Sequence, residues 1–242
     1  MSDAPVAEFD EYEGVRIKLT LHRDFASHAT TVVRRIGALR AANAPGIGGR
    51  ASVHRLELGG GVELIARRSL RGGMMRHLVR DMFVGVQARP LAELRLTLEA
   101  RRRNIPVAEP AGAVVEWLAP LIYRGWFLTR PIPGMTLWEF MQTDDDPAVR
   151  KHVLTAARAS IADMHERGLV HADLNLLNLF VTQLGEKFAV VVLDLDKARL
   201  LDWPLPQGLR KLQARRLARS VRKLDPTGRY FDANAFSILD ID

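Results

Sequence analysis

The sequence predicts an α+β protein in two parts, with an antiparallel sheet and a helix in the N-terminal part and mainly helices in the C-terminal part. Short apolar stretches separated by glycine turns occupy the first half, and apolar residues at helical spacing dominate after residue 134. The chain of 242 residues is long enough for two lobes around separate cores. We place residues 1–131 in the N-lobe and residues 132–242 in the C-lobe.

In the N-lobe, an acidic tail, Met1–Tyr12, precedes the first predicted strand, and apolar residues at helical spacing predict a helix over 25–41. A second helix is expected over 90–103, where Leu91, Leu94 and Leu98 share a face. The predicted strands are 13–21, 51–58, 62–68, 113–118 and 126–130, with a turn at 123–125 between the last two.

In the C-lobe, the strongest element is a helix over 147–167. Asp146 suits its N-cap, Pro147 its first turn and Gly168 its C-cap. Two short strands are predicted over 179–181 and 188–195, and a basic helix over 206–224.

Composition excludes several classes of function. The absence of cysteine rules out disulfides, thiolate catalysis and cysteine-bound zinc. The longest strongly apolar run, Phe188–Leu193, is far shorter than the roughly 20 residues of a membrane span, and the acidic start does not resemble a signal peptide. We therefore expect a soluble, cytoplasmic protein whose net charge of +7 gives it a basic surface.

One C-terminal segment has the spacing of a catalytic loop. His171, Asp173 and Asn178 form a His-x-Asp-x₄-Asn pattern, and an apolar strand then leads to Asp194. This order resembles the catalytic and metal-binding segments of the protein-kinase-like superfamily. The resemblance implies a bilobal fold in which Asp173 accepts the proton of the attacking hydroxyl, His171 supports the loop by hydrogen bonding, and Asn178 and Asp194 bind Mg²⁺. Asp196 is either a further metal ligand or an ion-pair partner of a nearby basic residue.

A kinase-like N-lobe must also supply a cation for the nucleotide phosphates, and no lysine occurs between Lys18 and Lys151. The strand sequence Leu64-Ile-Ala-Arg67 makes Arg67 the candidate, with Arg68 as the alternative on the opposite face of the strand. Glu93, on the following helix, is the expected ion-pair partner.

The phosphate loop is the least typical part. Residues 46–52 contain Gly48, Gly49 and Ser52, whose backbone N–H groups and hydroxyl are suited to holding phosphates, but the full Gly-x-Gly-x-x-Gly pattern is missing. A plain flexible turn would have the same composition, so both interpretations remain open.

Five stretches together resemble the lipopolysaccharide kinase family, and most of all its branch that acts on 3-deoxy-D-manno-octulosonic acid (Kdo). They are residues 71–73, 92–95, 171–175, 193–196 and 216–224. The resemblance implies ATP and Mg²⁺ as cofactors and the Kdo-lipid A precursor as substrate, phosphorylated at the 4-hydroxyl of Kdo. It also implies a peripheral location on the cytoplasmic face of the bacterial inner membrane.

The basic C-terminal segment supports an anionic partner independently. Ten Lys or Arg residues and two Asp residues lie between Lys197 and Arg229. A helix that is basic on one side suits an anionic glycolipid or an anionic membrane surface, whereas a solvated helix packing its leucines on the core is the plain structural alternative.

Three other functions remain as alternatives. A core-heptose kinase of the same family and a small-molecule kinase of the aminoglycoside or choline type share the catalytic pattern. A nucleic-acid-binding or scaffolding module would suit the positive charge, but basic and aromatic residues do not alternate as expected for base stacking, so we expect no nucleic-acid partner.

Overall fold

The computed structural model describes residues 8–42, 53–70, 81–185 and 187–239. Its contacts divide them into two compact units. The first contains the described residues up to Leu98 together with Glu109–Pro131, and the second contains Glu99–Ala108 and the described residues from Ile132 onward. The chain passes from the first unit to the second at Pro131–Ile132, and the earlier segment Glu99–Ala108 also belongs to the second unit.

The first unit is built on an antiparallel sheet in which the described strands follow the order β1-β2-β6-β7-β4-β3, with β5 also paired to β7. Its strands are β1 (Phe9–Glu13), β2 (Ile17–His22), β3 (Val53–Gly59), β4 (Val62–Arg68), β5 (Phe83–Val84), β6 (Pro110–Ala119) and β7 (Ile122–Thr129). Its helices are α1 (Ala29–Ala42), preceded by a 3₁₀ turn over Arg23–His28, and α2 (Arg89–Arg102), which continues into the second unit. Alternate residues of β3 are buried, as expected for a strand with one face on a core.

Two details of this sheet differ from the sequence prediction. The single strand expected over 13–21 is wrong, because β1 and β2 form a hairpin that reverses at Gly14, whose N–H bonds the carbonyl of Ile17 at 2.8 Å. The turn expected at 123–125 is also wrong, since β7 begins at Ile122 and Tyr123 is buried. Gly125 allows close packing, because a Cβ there would lie 2.3 Å from Cγ of Pro90.

The two helices of this unit pack on different core clusters. Val32 and Ile36 of α1 are buried with Leu21, Leu64 and other strand residues. Leu94 of α2 is buried with Phe9, Ala113 and Phe127. Helix α1 and helix α2 therefore each pack on a separate apolar cluster of the sheet. Glu93, the residue before Leu94, is a buried carboxylate of α2.

The second unit is mainly helical. Its helices are α3 (Leu137–Thr143), α4 (Pro147–Glu166), α5 (Gln207–Leu224) and α6 (Ala233–Leu239). Its strands are β8 (Met135–Thr136), β9 (Leu169–Val170), β10 (Leu179–Leu184), β11 (Lys187–Val192) and β12 (Arg199–Leu200), paired as β11-β10-β8 and β12-β9. The predicted α+β class is confirmed by this arrangement of an antiparallel sheet followed by helices.

Helix α4 begins as its sequence predicts and ends at Glu166, with Arg167 as its C-cap residue and Gly168 one position beyond. The carboxylate of Asp146 accepts a hydrogen bond from the N–H of Ala148, and Pro147 occupies the first turn. Val153, Ala157, Ile161 and Met164 lie on its buried side, which packs against β11 and α6. This helix leads directly into the strand and loop that contain the catalytic pattern.

The chain leaves α4 through Gly168, which has φ +84°. A Cβ at this residue would lie 2.4 Å from the carbonyl oxygen of Leu201 and 2.9 Å from that of Trp203. Gly168 also accepts a hydrogen bond from the N–H of Leu201, at 2.9 Å. Both the backbone conformation and the neighbouring carbonyls therefore require glycine here.

We expect Gly168→Ala to destabilise the protein by about 2–5 kcal/mol, since the left-handed backbone costs about 1–2 kcal/mol and the clash about 1–3 kcal/mol. Gly185→Ala is the matched control. Gly185 has φ +63°, and a Cβ added there would meet no atom of the described residues within 4 Å, so only the backbone cost of about 1–2 kcal/mol applies. Urea unfolding measures both variants, and equal losses would contradict the role given to the Leu201 and Trp203 carbonyls.

Candidate functional site

The loop over residues 171–178 joins β9 to β10 in the second unit and contains three of the predicted site residues. His171 is fully buried, Asn178 is half-buried and Asp173 is exposed. The apolar side chains of Leu174 and Leu176 are fully buried between these polar positions. The loop is thus held in place by leucines while the Asp173 side chain faces solvent.

His171 connects the loop to the end of β11. Its Nδ1 accepts a hydrogen bond from the N–H of Asp173 at 3.1 Å, and its Nε2 lies 2.9 Å from the carbonyl oxygen of Leu193. These partners require Nε2 to carry the proton and Nδ1 to be bare. Burial lowers the pKa of His171, with the Leu193 carbonyl acting in the opposite direction, so the neutral ring that this geometry needs is the favoured form.

Leu193, the residue before Asp194, is hydrogen-bonded through both its backbone N–H and its backbone carbonyl. Its N–H donates to the carbonyl of Asn178 at 2.8 Å, and its carbonyl accepts from His171. One residue therefore connects the first and last members of the His-x-Asp-x₄-Asn pattern. These hydrogen bonds hold the loop that contains Asp173 and Asn178 against the end of β11, which is followed by Asp194.

The turn after Asp173 is fixed by two asparagines. The backbone carbonyl of Asp173 accepts from Nδ2 of Asn175 at 3.0 Å and from Nδ2 of Asn178 at 2.9 Å. The side-chain oxygen of Asn175 in turn accepts from the N–H groups of Leu177 and Asn178. Sequence reasoning gave Asn175 no role of its own, although forming a turn in this way is typical of asparagine in loops.

Asp194 follows β11 in a left-handed backbone conformation, with φ +60°. Such a conformation is uncommon for residues other than glycine, although aspartate tolerates it better than most. The side chain of Asp194 accepts a hydrogen bond from the N–H of Asp196 at 3.4 Å. Leu195, between them, is buried, so it separates two carboxylates that are both half-buried.

In the first unit, Arg67 and Arg68 have different partners. Nη2 of Arg67 donates to both carboxylate oxygens of Glu93, whose side chain is only 2% exposed. Arg68 pairs instead with Asp81, which also lies 2.8 Å from Nε of Arg124. Adjacent strand residues point to opposite faces, so Arg67 is the arginine on the α2 side of β4.

Three predicted nucleotide-binding residues, Gly48, Gly49 and Ser52, lie outside the described residues, as does the stretch 71–73 that forms part of the family resemblance. Within the described ranges, no group of three or more His, Asp or Glu side chains lies close enough to hold a metal ion. In the same ranges, no helix is both long enough and apolar enough to cross a membrane.

Helix α5 presents two different faces. Leu217 and Val221 are buried, and Leu209 and Leu224 are half-buried. The exposed basic side chains are those of Lys211, Arg215, Arg219, Arg222 and Lys223. The helix therefore has an exposed basic face and a buried apolar face, and both interpretations of this segment are compatible with this arrangement.

With this geometry established, the comparison with known proteins decides the family. Residues 48–236 match the lipopolysaccharide kinase (Kdo/WaaP) family. The chain belongs to this family. The matched range includes Arg67, Glu93 and the whole loop from His171 to Asp194, so the family covers both units.

Several curated members of the family are similar in sequence. A 3-deoxy-D-manno-octulosonic acid kinase of Actinobacillus succinogenes is 31% identical over 143 residues, which cover 57% of this chain and 58% of that protein. The protein of the same description from Xylella fastidiosa is 30% identical over 76% of this chain and 70% of its own length. The similarity to the Actinobacillus protein thus spans less than two thirds of that relative.

A solved structure confirms the kinase-like fold that the sequence predicts for a member of this family. The structure described as "WaaP in complex with acyl carrier protein" superposes with a TM-score of 0.57 at 16% sequence identity, covering 91% of this chain and 88% of that one. At this level of identity the likeness concerns the fold alone.

The Arg67–Glu93 pair provides a measurable test of the first unit. Because the Glu93 carboxylate is buried, we expect Arg67→Met and Glu93→Gln each to destabilise the protein by about 2–4 kcal/mol. The double variant should lose less than the sum, with a coupling energy of about 1–3 kcal/mol in a double-mutant cycle measured by urea unfolding.

The surface pair Arg55–Glu63, on β3 and β4, is the matched control, since its side chains are 53% and 32% exposed. Its coupling energy should stay below about 1 kcal/mol. A coupling between Arg67 and Glu93 no larger than that of the surface pair would contradict the importance assigned to the buried pair.

Proposed function

We propose that this protein is an ATP-dependent kinase that phosphorylates the Kdo sugar of the Kdo-lipid A precursor, at its 4-hydroxyl, in lipopolysaccharide core biosynthesis. The observation that carries the proposal concerns Leu193, the residue before Asp194. Its N–H is hydrogen-bonded to Asn178 and its carbonyl to His171, so the catalytic loop is connected to the strand end at Asp194. Membership of the lipopolysaccharide kinase family and the description of the relatives as 3-deoxy-D-manno-octulosonic acid kinases support the reaction and the acceptor.

In this proposal Asp173 is the catalytic carboxylate. Its side chain is exposed, while its backbone carbonyl and N–H are held by Asn175, Asn178 and His171. A fixed backbone with an accessible carboxylate suits a group that must orient a substrate hydroxyl and accept its proton. His171 acts through Asp173 and Leu193 by hydrogen bonding.

Asn178 and Asp194 are the proposed ligands of Mg²⁺. Their oxygens are the hard donors that Mg²⁺ prefers, and two protein ligands are typical because phosphate oxygens and waters complete its octahedron. Nδ2 of Asn178 is bonded to the Asp173 carbonyl, which leaves its side-chain oxygen to act as the ligand. When bound, the ion would neutralise negative charge on the transferred phosphoryl group.

Arg67 is the proposed cation for the nucleotide phosphates, held by Glu93. A guanidinium is a planar cation with several N–H donors, a geometry that suits bidentate bonding to phosphate oxygens. Gly48, Gly49 and Ser52 are proposed to contribute backbone N–H groups and a hydroxyl to the same phosphates. An Arg in this role replaces the usual lysine by a planar donor group of equal charge.

The exposed basic face of α5, defined as Arg215, Arg219 and Arg222 with Lys211 and Lys223, is proposed to bind the anionic inner-membrane surface on its cytoplasmic side. Each basic residue near such a surface contributes about 1 kcal/mol. Several together are sufficient for reversible peripheral binding, which brings the enzyme to a lipid-linked acceptor.

A core-heptose kinase is the alternative within the same family, and it would use the same residues on a different sugar. The two are separated by supplying purified Kdo-lipid A precursor or a heptose-containing core acceptor with Mg-ATP and following phosphate addition by mass spectrometry. Transfer to the heptose acceptor alone would replace the proposed substrate.

Activity should depend on Asp173. We expect Asp173→Asn to lower kcat for phosphate transfer to Kdo-lipid A precursor by about 10²–10⁴-fold, because the amide cannot accept the proton, with a small effect on KM for ATP. Asp163→Asn is the control, since Asp163 is an exposed residue of α4 paired with Arg167. Transfer by the Asp173→Asn variant at the wild-type rate would exclude the catalytic role.

Membrane binding should depend on where the charge lies. The triple variant Arg215→Gln, Arg219→Gln, Arg222→Gln should bind vesicles containing phosphatidylglycerol on the order of 100-fold more weakly than the wild type, from about 1 kcal/mol per residue. Sedimentation with vesicles measures this, and purely zwitterionic vesicles should bind neither protein.

The matched control removes the same charge elsewhere, through Arg16→Gln, Arg34→Gln and Arg158→Gln, all at exposed positions. It should retain most of the affinity. Equal weakening by the two triple variants would show that net charge alone is responsible, and absence of wild-type binding would exclude direct membrane contact.

A further inference from the structure

We infer that three polar residues on the inner side of α5, Gln213, Arg216 and Ser220, are positioning residues for phosphoryl transfer. They bond the backbone of the loop that carries Asp173. The inference rests on the proposed function, because it assigns these residues a part in the rate of that reaction.

The contacts at the start of the loop involve both backbone groups of His171. Its N–H donates to Oε1 of Gln213 at 3.0 Å, and its carbonyl accepts from Nη1 of Arg216 at 3.2 Å. His171 is fully buried, so its backbone groups depend on these protein partners. Two residues of α5 thus fix the peptide groups that immediately precede and follow this residue.

The third contact lies beyond Asp173. The N–H of Leu176, another fully buried residue, donates to Oγ of Ser220 at 3.2 Å. Asp173 therefore lies between two points at which the loop backbone is bonded to a single helix. The bonds within the loop, from Asn175 and Asn178, define its turn, whereas the bonds to α5 define where the turn lies in the second unit.

The spacing of the three residues is that of one helical face. Positions 213, 216 and 220 are separated by three and four residues, and Leu217 and Val221 are buried on the same side of α5. Gln213 is only 1% exposed. Burying a polar oxygen costs free energy unless it is hydrogen-bonded, and Oε1 of Gln213 is bonded to the N–H of His171, whereas its Nε2 has no hydrogen-bond partner among the described residues.

The consequence for transfer is geometric. A displacement of about 1 Å in a catalytic group can cost roughly 10²-fold in rate, since proton acceptance requires close alignment with the hydroxyl. Losing one of the three bonds should loosen Asp173 without removing any group that contacts ATP. We therefore expect kcat to fall while KM for ATP changes little.

Ser220→Ala is the most direct test because it removes one oxygen and increases helix propensity. We expect kcat for transfer from Mg-ATP to Kdo-lipid A precursor to fall about tenfold, KM for ATP to stay within about twofold, and thermal stability to be nearly unchanged. The Leu176 amide should exchange its hydrogen roughly five- to tenfold faster, as loss of a bond worth about 1 kcal/mol predicts. Ser220→Thr retains the hydroxyl and should restore both values.

Ser237→Ala is the matched control, because Ser237 is an exposed serine of α6. Arg216→Met tests the second bond and should lower kcat by about tenfold, while Arg158→Met, at an exposed position of α4, should not. A kcat within twofold of the wild type for Ser220→Ala and Arg216→Met would overturn the inference, as would unchanged exchange at Leu176.

The experiment also separates this inference from the proposed function. If the wild-type protein fails to phosphorylate the Kdo acceptor, the proposed substrate is wrong, and the rate of Mg-ATP hydrolysis by the same variants then replaces kcat. Loss of hydrolysis with faster Leu176 exchange in Ser220→Ala, reversed by Ser220→Thr, would support the positioning role independently of the acceptor.

Discussion

The backbone of Leu193 is the constraint on which the candidate site depends. Its N–H and carbonyl are bonded to Asn178 and His171, so the end of β11 and the two ends of the catalytic loop cannot move independently. A hydrogen bond contributes only about 1 kcal/mol to stability, but leaving a polar group unpaired where it is buried, as the ring of His171 is, costs about 1–3 kcal/mol. The free energy lost when a buried group is left unpaired therefore exceeds the free energy that each bond contributes, and this difference favours the observed arrangement over others.

The bond that extends this constraint to Asp173 holds only while His171 is neutral. A protonated ring would direct an N–H from Nδ1 at the N–H of Asp173, replacing an acceptor with a donor at 3.1 Å. Burial lowers the pKa of His171 and so keeps the ring in the required form. The same burial that makes this histidine inaccessible to substrate makes it suitable as a fixed connection between Asp173 and the strand that ends before Asp194.

The sequence predicted well those elements that are determined by residues close together in the chain. Helix α4 has its cap, its proline and its apolar spacing in one stretch, and the structure has it almost as predicted. The turn assigned to Tyr123-Arg124-Gly125 was wrong because the glycine serves a close approach to Pro90, a contact between residues distant in sequence. Gln213 was missed for a similar reason, although a polar residue among buried leucines of an amphipathic helix was a usable signal.

In helix α5 the contacts of the buried side offset the repulsion between basic side chains on the exposed side. Its 18 residues include no acidic side chain, and several basic residues lie four apart, as Lys211, Arg215 and Arg219 do. Like charges at this spacing destabilise an isolated helix by about 0.2–0.5 kcal/mol per pair, and Pro206 provides no side-chain cap. The helix must therefore be stabilised from its inner side, by Leu217, Val221 and the bonds to the catalytic loop. The charge of the outer face thus lowers the stability of the helix, and the contacts of the inner face offset this loss.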